Sequence, residues 1–269
     1  MIVNKVFSGR LFVLLLLLSA SLTGAAVERI PTTAKSIVPV RGIVTRQKTT
    51  GIVYDKAILN RLGSVFKKYN TDKLSYTIGG EISMTDKADN SKKMSHVNFL
   101  LSKHANEFYY QLGSTQTLNA GGTYLYIDNK GYTILAGPQK PVVGNDSFKS
   151  LFSDEMAKNL QSEHYELLSS RKGAEQTITM LNEHHISCKQ YAITIDTATL
   201  RIKKVFIRYT NFNAPLRTDN EKVVTVMINQ WTNAGAPGKY LVADDVVTRD
   251  RHHKYKARGK YLKYQTVNL

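Results

Sequence analysis

The chain has 269 residues, with 37 Lys plus Arg against 21 Asp plus Glu, and 42% of its residues are apolar. That apolar share supplies a globular core and excludes a disordered chain, while 15 Tyr, only six Pro and 17 Gly exclude collagen-like and low-complexity classes. A single Cys excludes a disulfide framework and any multi-cysteine zinc or iron–sulfur site, so core burial has to hold the fold.

Lys5 and Arg10 precede an apolar run from Leu11 to Leu18, and small residues follow at Gly24, Ala25 and Ala26. This is the charged, apolar and small-residue layout of a secretory signal. The run is shorter than the roughly 20 residues a permanent membrane helix needs, so residues 1–26 are expected to be cleaved near Ala25 or Ala26. The alternative is an uncleaved anchor. No Cys stands near the cleavage site for lipid attachment, so the mature protein is expected to be soluble and periplasmic. Cleavage leaves it strongly basic. An exported basic chain without a helix-turn-helix, RNA-recognition or zinc-finger pattern points to anionic lipid headgroups, phosphorylated glycolipid or acidic protein surfaces, not nucleic acid.

Residues 27–53, with Pro31 and Pro39 among Val, Ile and Thr, read as an extended arm. From Tyr54 to Tyr69 the apolar positions Ile58, Leu59, Leu62, Val65 and Phe66 recur at three- and four-residue steps, which predicts an amphipathic helix. Short strands follow. Tyr76, Ile78, Gly80, Ile82 and Met84 alternate on one face; Val97, Phe99 and Leu101 do so in Met94 to Lys103; Phe108, Tyr110 and Leu112 do so in Glu107 to Leu112. Thr123 to Ile127 and Tyr132 to Ala136 flank Asp128-Asn129-Lys130-Gly131, a hairpin turn with Gly at the expected positive φ. Ser147 to Leu160 returns to a helical period, with Asn145, Asp146 or Ser147 as cap. Strand signals resume at Tyr165–Ser169, Gln176–Leu181, Gln190–Ile195, Arg201–Tyr209 and Lys222–Trp231.

The pattern is an α+β fold: a large curved antiparallel sheet of about nine or ten strands, covered by two amphipathic helices as an unclosed barrel. Such a shape often holds an apolar ligand, and Ile78, Phe99, Phe108, Tyr110, Tyr124 and Tyr132 are the candidates to line a cavity, with core packing as the competing role.

Residues 233–238 read as a small-residue linker to a basic extension. There Gly238-Lys239-Tyr240-Leu241 and Gly259-Lys260-Tyr261-Leu262 repeat, which suggests two short strands in a hairpin, with a chance tetrapeptide match as the alternative. Arg249, Arg251, Lys254, Lys256, Arg258 and Lys260 are candidates to meet an anionic membrane or envelope protein, or form a solvated loop; Tyr255, Tyr261 and Tyr264 among them suit a membrane or protein interface.

No Gly-x-Ser-x-Gly, His-Glu-x-x-His, Walker or Gly-x-Gly-x-x-Gly motif occurs, and no catalytic residue is assigned. His184, His185 and Cys188 are the best local constellation for a soft metal or a Cys–His nucleophile. The alternative is two solvated His before a strand whose Cys is buried. Asp244 and Asp245 read as surface charges.

The Lys-Lys-Tyr-Asn step that ends the helix, Gly79-Gly80-Glu81 in the first strand, Val97 to Leu101, Gly122 to Asp128, and Tyr191 to Asp196 followed by Ile202 to Arg208 together resemble the periplasmic lipoprotein carriers of the LolA/LolB superfamily over residues 54–232. The resemblance implies an unclosed barrel with a helical lid whose apolar cavity accepts acyl chains, without cofactor or covalent chemistry. Two departures bear on the cargo: Lys92-Lys93-Met94-Ser95-His96 stands where the family has a basic-aromatic segment, and a basic extension follows Trp231. The first functional reading is an exported carrier for lipid or an acylated partner. The second is an assembly subunit of an envelope complex; a hydrolase comes last.

Overall fold

The structure is a computed structural model that describes residues 52–69, 75–89, 91, 93–141, 154–210 and 217–269. The expected signal segment, nearly all of the N-terminal arm and the first half of the expected second helix lie outside the described residues.

Helix α1 (Lys56–Tyr69) and helix α2 (Asp154–Ser162) accompany a single 12-stranded sheet. In chain order its strands are β1 (Ser75–Asp86), β2 (Met94–His104), β3 (Glu107–Leu112), β4 (Thr115–Ala120), β5 (Thr123–Asp128), β6 (Thr133–Pro138), β7 (Glu166–Lys172), β8 (Glu175–Leu181), β9 (Cys188–Asp196), β10 (Ile202–Tyr209), β11 (Lys222–Thr232) and β14 (Gln265–Asn268). A separate hairpin joins β12 (Val247–Arg249) to β13 (Tyr255–Ala257). The order β14-β6-β5-β4-β3-β2-β1-β11-β10-β9-β8-β7 leaves the sheet unclosed, an α+β half-barrel as the sequence predicts.

Two central strands join the halves of the meander: β1 pairs with both β2 and β11. Alternation then places long rows on one face. Ile178, Ile193, Val205, Val226 and Ile82 stand opposite one another across five strands, and Met180, Tyr191, Ile207, Val224 and Met84 form the next row. Leu62 and Val65 of α1, Leu160 of α2 and Tyr165 pack on these rows, which defines the inner face and the larger core. Two polar ties seat α1 over the β9–β10 turn: Arg61 donates to Thr197 O at 3.2 Å, and Lys68 donates to Thr199 O.

Two features depart from expectation near the β5–β6 turn. The strand β4 occupies a stretch the sequence leaves unassigned. In the turn itself the positive φ falls on Tyr132 (51°) and not on Gly131. A Cβ at Gly131 would sit 2.5 Å from Asp128 Oδ2, so a larger residue there would have to displace that carboxylate.

The C-terminal extension builds a second core on the opposite, outer face. Tyr109, Leu118, Leu125, Ile127, Ile134 and Ala136 meet Val246, Val247, Tyr255 and Tyr261 there. The repeated tetrapeptides form turns, not strands: one lies in a one-turn helix, α3 (Pro237–Tyr240), the other includes a 3-10 turn, Gly259–Tyr261. Each drops a Tyr onto the sheet, Tyr240 stacking on Tyr109 at 5.4 Å and Tyr261 only 3% exposed. Tyr255 and Tyr261 are therefore core side chains, not an interface. Asp244 and Asp245 are exposed in another one-turn helix, α4 (Ala243–Val246).

The small residues 233–236 are pinned across the outer side of β1 and β2. Gly235 N donates to Ser75 Oγ at 2.6 Å, Ala236 N to Ser102 Oγ at 2.9 Å, and Thr77 Oγ1 donates to Ala234 O at 2.8 Å. Close approach explains their size.

Candidate functional site

The strands β3 to β6 carry an aromatic inner face that differs from the rest of the sheet. Register places Phe108, Asn119, Tyr124 and Gly137 in one row, and Tyr110, Thr117, Tyr126 and Leu135 in the next. Tyr110 is buried within the larger core and Phe108 packs against it. Thr117, Tyr124, Tyr126 and Leu135 are half-buried, and Tyr124, Tyr126 and Leu135 belong to neither core cluster among the described residues. On the other side of the same strands Leu125, Ile127, Ile134 and Ala136 are fully buried. Burial thus changes sides across β5 and β6: the outer face holds the packed core, and the inner face presents half-buried rings.

Local bonds hold this face in shape. Asn119 clamps the chain leaving β6, donating to Lys140 O at 3.0 Å and accepting from Lys140 N at 2.8 Å. That clamp brings Lys140 Nζ to 3.9 Å from the Tyr124 ring centroid, a cation over a π face. Burial pushes the Tyr124 phenol above its ordinary pKa, with Tyr126 adding to it; burial and then Asp128 do the same to Tyr126. Both phenols are neutral donors at physiological pH, on rings that offer apolar area. A strip of this kind suits a long apolar chain with a polar end.

Five of the six residues proposed to line a cavity share this inner face, but with different surroundings. Ile78 and Phe99 are 3% and 4% exposed inside the packed core. Tyr110, 3% exposed, lies inside it as well, Phe108 stands at its border, and Tyr124 lies on the half-exposed strip. Tyr132 is off the face: it is 45% exposed in the β5–β6 turn, edge-on to Tyr264 at 5.2 Å. Tyr132 precedes β6 and is in phase with the outer-facing Ile134 and Ala136, so alternation does not bring it to the inner face. Thr117, Tyr126 and Leu135 complete the strip and are missing from the sequence reading. The alternation Tyr124, Tyr126 was the available signal for one of them.

The His184, His185, Cys188 group is arranged for structure. His184 is exposed. His185 is buried; its Nδ1 accepts from Cys188 N at 3.0 Å and Ser187 N at 3.2 Å, so the ring proton sits on Nε2 and donates to Glu163 Oε2 at 2.9 Å. Both ring nitrogens are thus spent on tying α2 to the β8–β9 loop. Cys188 Sγ turns to Gln190 O at 3.4 Å, and burial pushes its thiol up to about 12, the opposite of an activated nucleophile. Native Cys188 is expected to react with a maleimide on the order of a hundredfold more slowly than in the urea-unfolded chain. Equal rates in a thiol-labelling time course would contradict this placement. Among the described residues no group of three or more His, Cys, Asp or Glu is placed to hold a metal ion.

The six basic candidates of the extension are all exposed. Arg249 lies over the Tyr255 ring at 5.4 Å, Lys260 over Tyr261 at 5.1 Å, and Lys256 pairs with Asp250 at 3.2 Å. No described helix is long and apolar enough to cross a membrane.

No family model and no curated protein matches the chain. Solved structures do. One is an uncharacterized conserved protein from Thermus thermophilus, at 11% identity and a TM-score of 0.38, covering 80% of this chain and 98% of that one. Another is a LolA superfamily protein from Nitrosomonas europaea, at 9% identity and 0.28, covering 72% and 99%. A third is a DUF1329 family protein from Desulfovibrio piger, at 9% and 0.31, covering 70% and 97%. At these scores no residue correspondence follows.

Proposed function

We propose that this chain is an exported, non-enzymatic carrier or binding protein for a lipid, or for the acyl chains of an acylated partner, held against the inner face of β3–β6. The observation that carries the reading is the inversion of burial across β5 and β6. Leu125, Ile127, Ile134 and Ala136 pack on the outer side, while Tyr124, Tyr126 and Leu135 stand half-exposed on the inner side. Rings and an aliphatic side chain left partly in water on a rigid sheet gain most by covering an apolar chain. The reading needs no cofactor and no covalent step.

Native mass spectrometry of the chain from Val27 onward, followed by organic extraction, tests it. The expected result is a discrete mass increment released as lipid, and a Tyr126→Lys variant whose bound fraction falls about tenfold, because a cation on the strip must be desolvated. A bare polypeptide that also takes up no fluorescent fatty acid would end the carrier reading. The assembly-subunit reading would then stand, favoured by the solid packing of Ile78 and Phe99 in the other half of the sheet.

A further inference from the structure

We propose that the Gly259–Tyr264 segment, with the β5–β6 turn beside it, is a docking point for an anionic bilayer surface, with Leu262 as the inserted side chain. Leu262 is 75% exposed, the most exposed leucine among the described residues. Its exposure is held by the backbone: Leu262 N donates to Gly259 O at 3.3 Å and Tyr264 N to Tyr261 O at 2.8 Å, while buried Tyr261 fixes the turn to the outer core. The turn therefore presents Leu262 outward and cannot fold it back.

A continuous aromatic ladder supports it. Tyr261 meets Tyr264 edge-on at 5.1 Å, and Tyr264 meets Tyr132 edge-on at 5.2 Å. Tyr264 also donates its hydroxyl to Asn129 Oδ1 at 2.9 Å, which locks the two turns together. Cations lie on the ladder: Lys263 Nζ is 4.5 Å from the Tyr132 centroid, Lys260 Nζ is 5.1 Å from that of Tyr261, and exposed Lys130 belongs to the same turn as Tyr132. The carboxylate nearest in sequence, Asp128, accepts from the Lys130 amide at 3.0 Å.

An outward leucine flanked by lysines, with an exposed tyrosine on the adjoining turn, matches the layers of a bilayer interface. The aliphatic side chain enters below the headgroups, the phenol sits among them, and the ammonium groups meet lipid phosphate. Charge complementarity favours an anionic surface: residues 237–269 carry eight Lys or Arg against three Asp, and Asp250 is already engaged by Lys256. An acidic protein would satisfy the cations but would leave the protruding leucine without a pocket.

This docking does not depend on what the inner face carries. The test is co-sedimentation of the mature chain with phosphatidylcholine vesicles, alone or with about one third phosphatidylglycerol. Binding is expected only to the anionic vesicles and should weaken as salt is raised. Leu262→Asp and the pair Lys260→Glu, Lys263→Glu should each lower affinity about tenfold. These side chains are exposed, so far-ultraviolet circular dichroism should be unaltered. Leu262→Trp adds an independent readout, a blue-shifted emission on anionic vesicles. Equal partition to both vesicles, insensitivity to the substitutions, or binding to an acidic polypeptide in place of vesicles would overturn the proposal.

Discussion

Replacing Glu221 by alanine is expected to lower the unfolding free energy by about 3–5 kcal/mol. Glu221 is 1% exposed and holds the centre of a charge cluster where β1, β9, β10 and β11 meet. Its Oε1 accepts from Lys189 Nζ at 3.0 Å and from Arg208 Nη1 at 3.4 Å, and its Oε2 from Lys87 Nζ at 3.2 Å. Lys189 is itself only 2% exposed, so removal of the carboxylate strands a buried ammonium. Arg208 keeps a partner in Glu183, and Lys87 reaches solvent; the cost therefore falls on Lys189. The double variant Glu221→Met, Lys189→Met should cost markedly less, since it removes both charges together. Urea unfolding of the three variants reads the difference. A Glu221→Ala midpoint equal to that of the parent would dismiss the cluster as a source of stability.

The same cluster fixes an acid dependence. Burial alone would raise the Glu221 pKa, but hydrogen bonds from Lys189 and Lys87 and the charges of Arg208 and Lys189 outweigh it and hold the carboxyl below the usual range. The folded chain thus binds this proton less readily than the unfolded one. Its contribution is complete above the ordinary glutamate pKa of about 4.3 and is lost as pH falls through the lower folded value. The Glu221→Ala variant should lose less stability than the parent over that interval.

Gly235→Ala should cost about 3 kcal/mol, by a different route. A Cβ at Gly235 would lie 1.6 Å from Lys103 O and 2.5 Å from its carbonyl carbon, both in the backbone of β2. No rotamer change relieves an overlap with backbone. The chain must lift, and lifting breaks the bonds to Ser75 and Ser102 that lead the extension onto the outer face. Tyr109, Leu118 and Leu125 would then lose part of their cover. Thermal unfolding should show the lower midpoint, and hydrogen exchange should show faster opening in β3–β5 than in β8–β10. Uniform behaviour across the sheet would mean that the extension is not coupled through this crossing.

Much of this fold is legible residue by residue. The alternation of Tyr76, Ile78, Ile82 and Met84, the helical step of Leu62 and Val65, and the tight turns between strands declare an antiparallel sheet with an amphipathic helix, because side-chain direction repeats every two residues in a strand and every 3.6 in a helix. β4 escapes this logic. Thr115 to Ala120 carries Thr, Gln and Asn with little apolar signal, and becomes a strand because β3 and β5 stand on either side of it. β14 escapes it too, since its parallel pairing with β6 joins residues more than a hundred positions apart.

The candidate site divides along the same line. By itself the sequence determined which side chains share a face: Phe108 with Tyr110, Tyr124 with Tyr126, and Leu125 with Ile127. Only the tertiary structure decided which face is covered. Tyr240, Tyr255 and Tyr261 arrive from the end of the chain to bury the outer side of β3–β6, while α1 and α2 cover the inner side of the other half. Alternation is a property of the local backbone, but coverage depends on where distant segments come to rest.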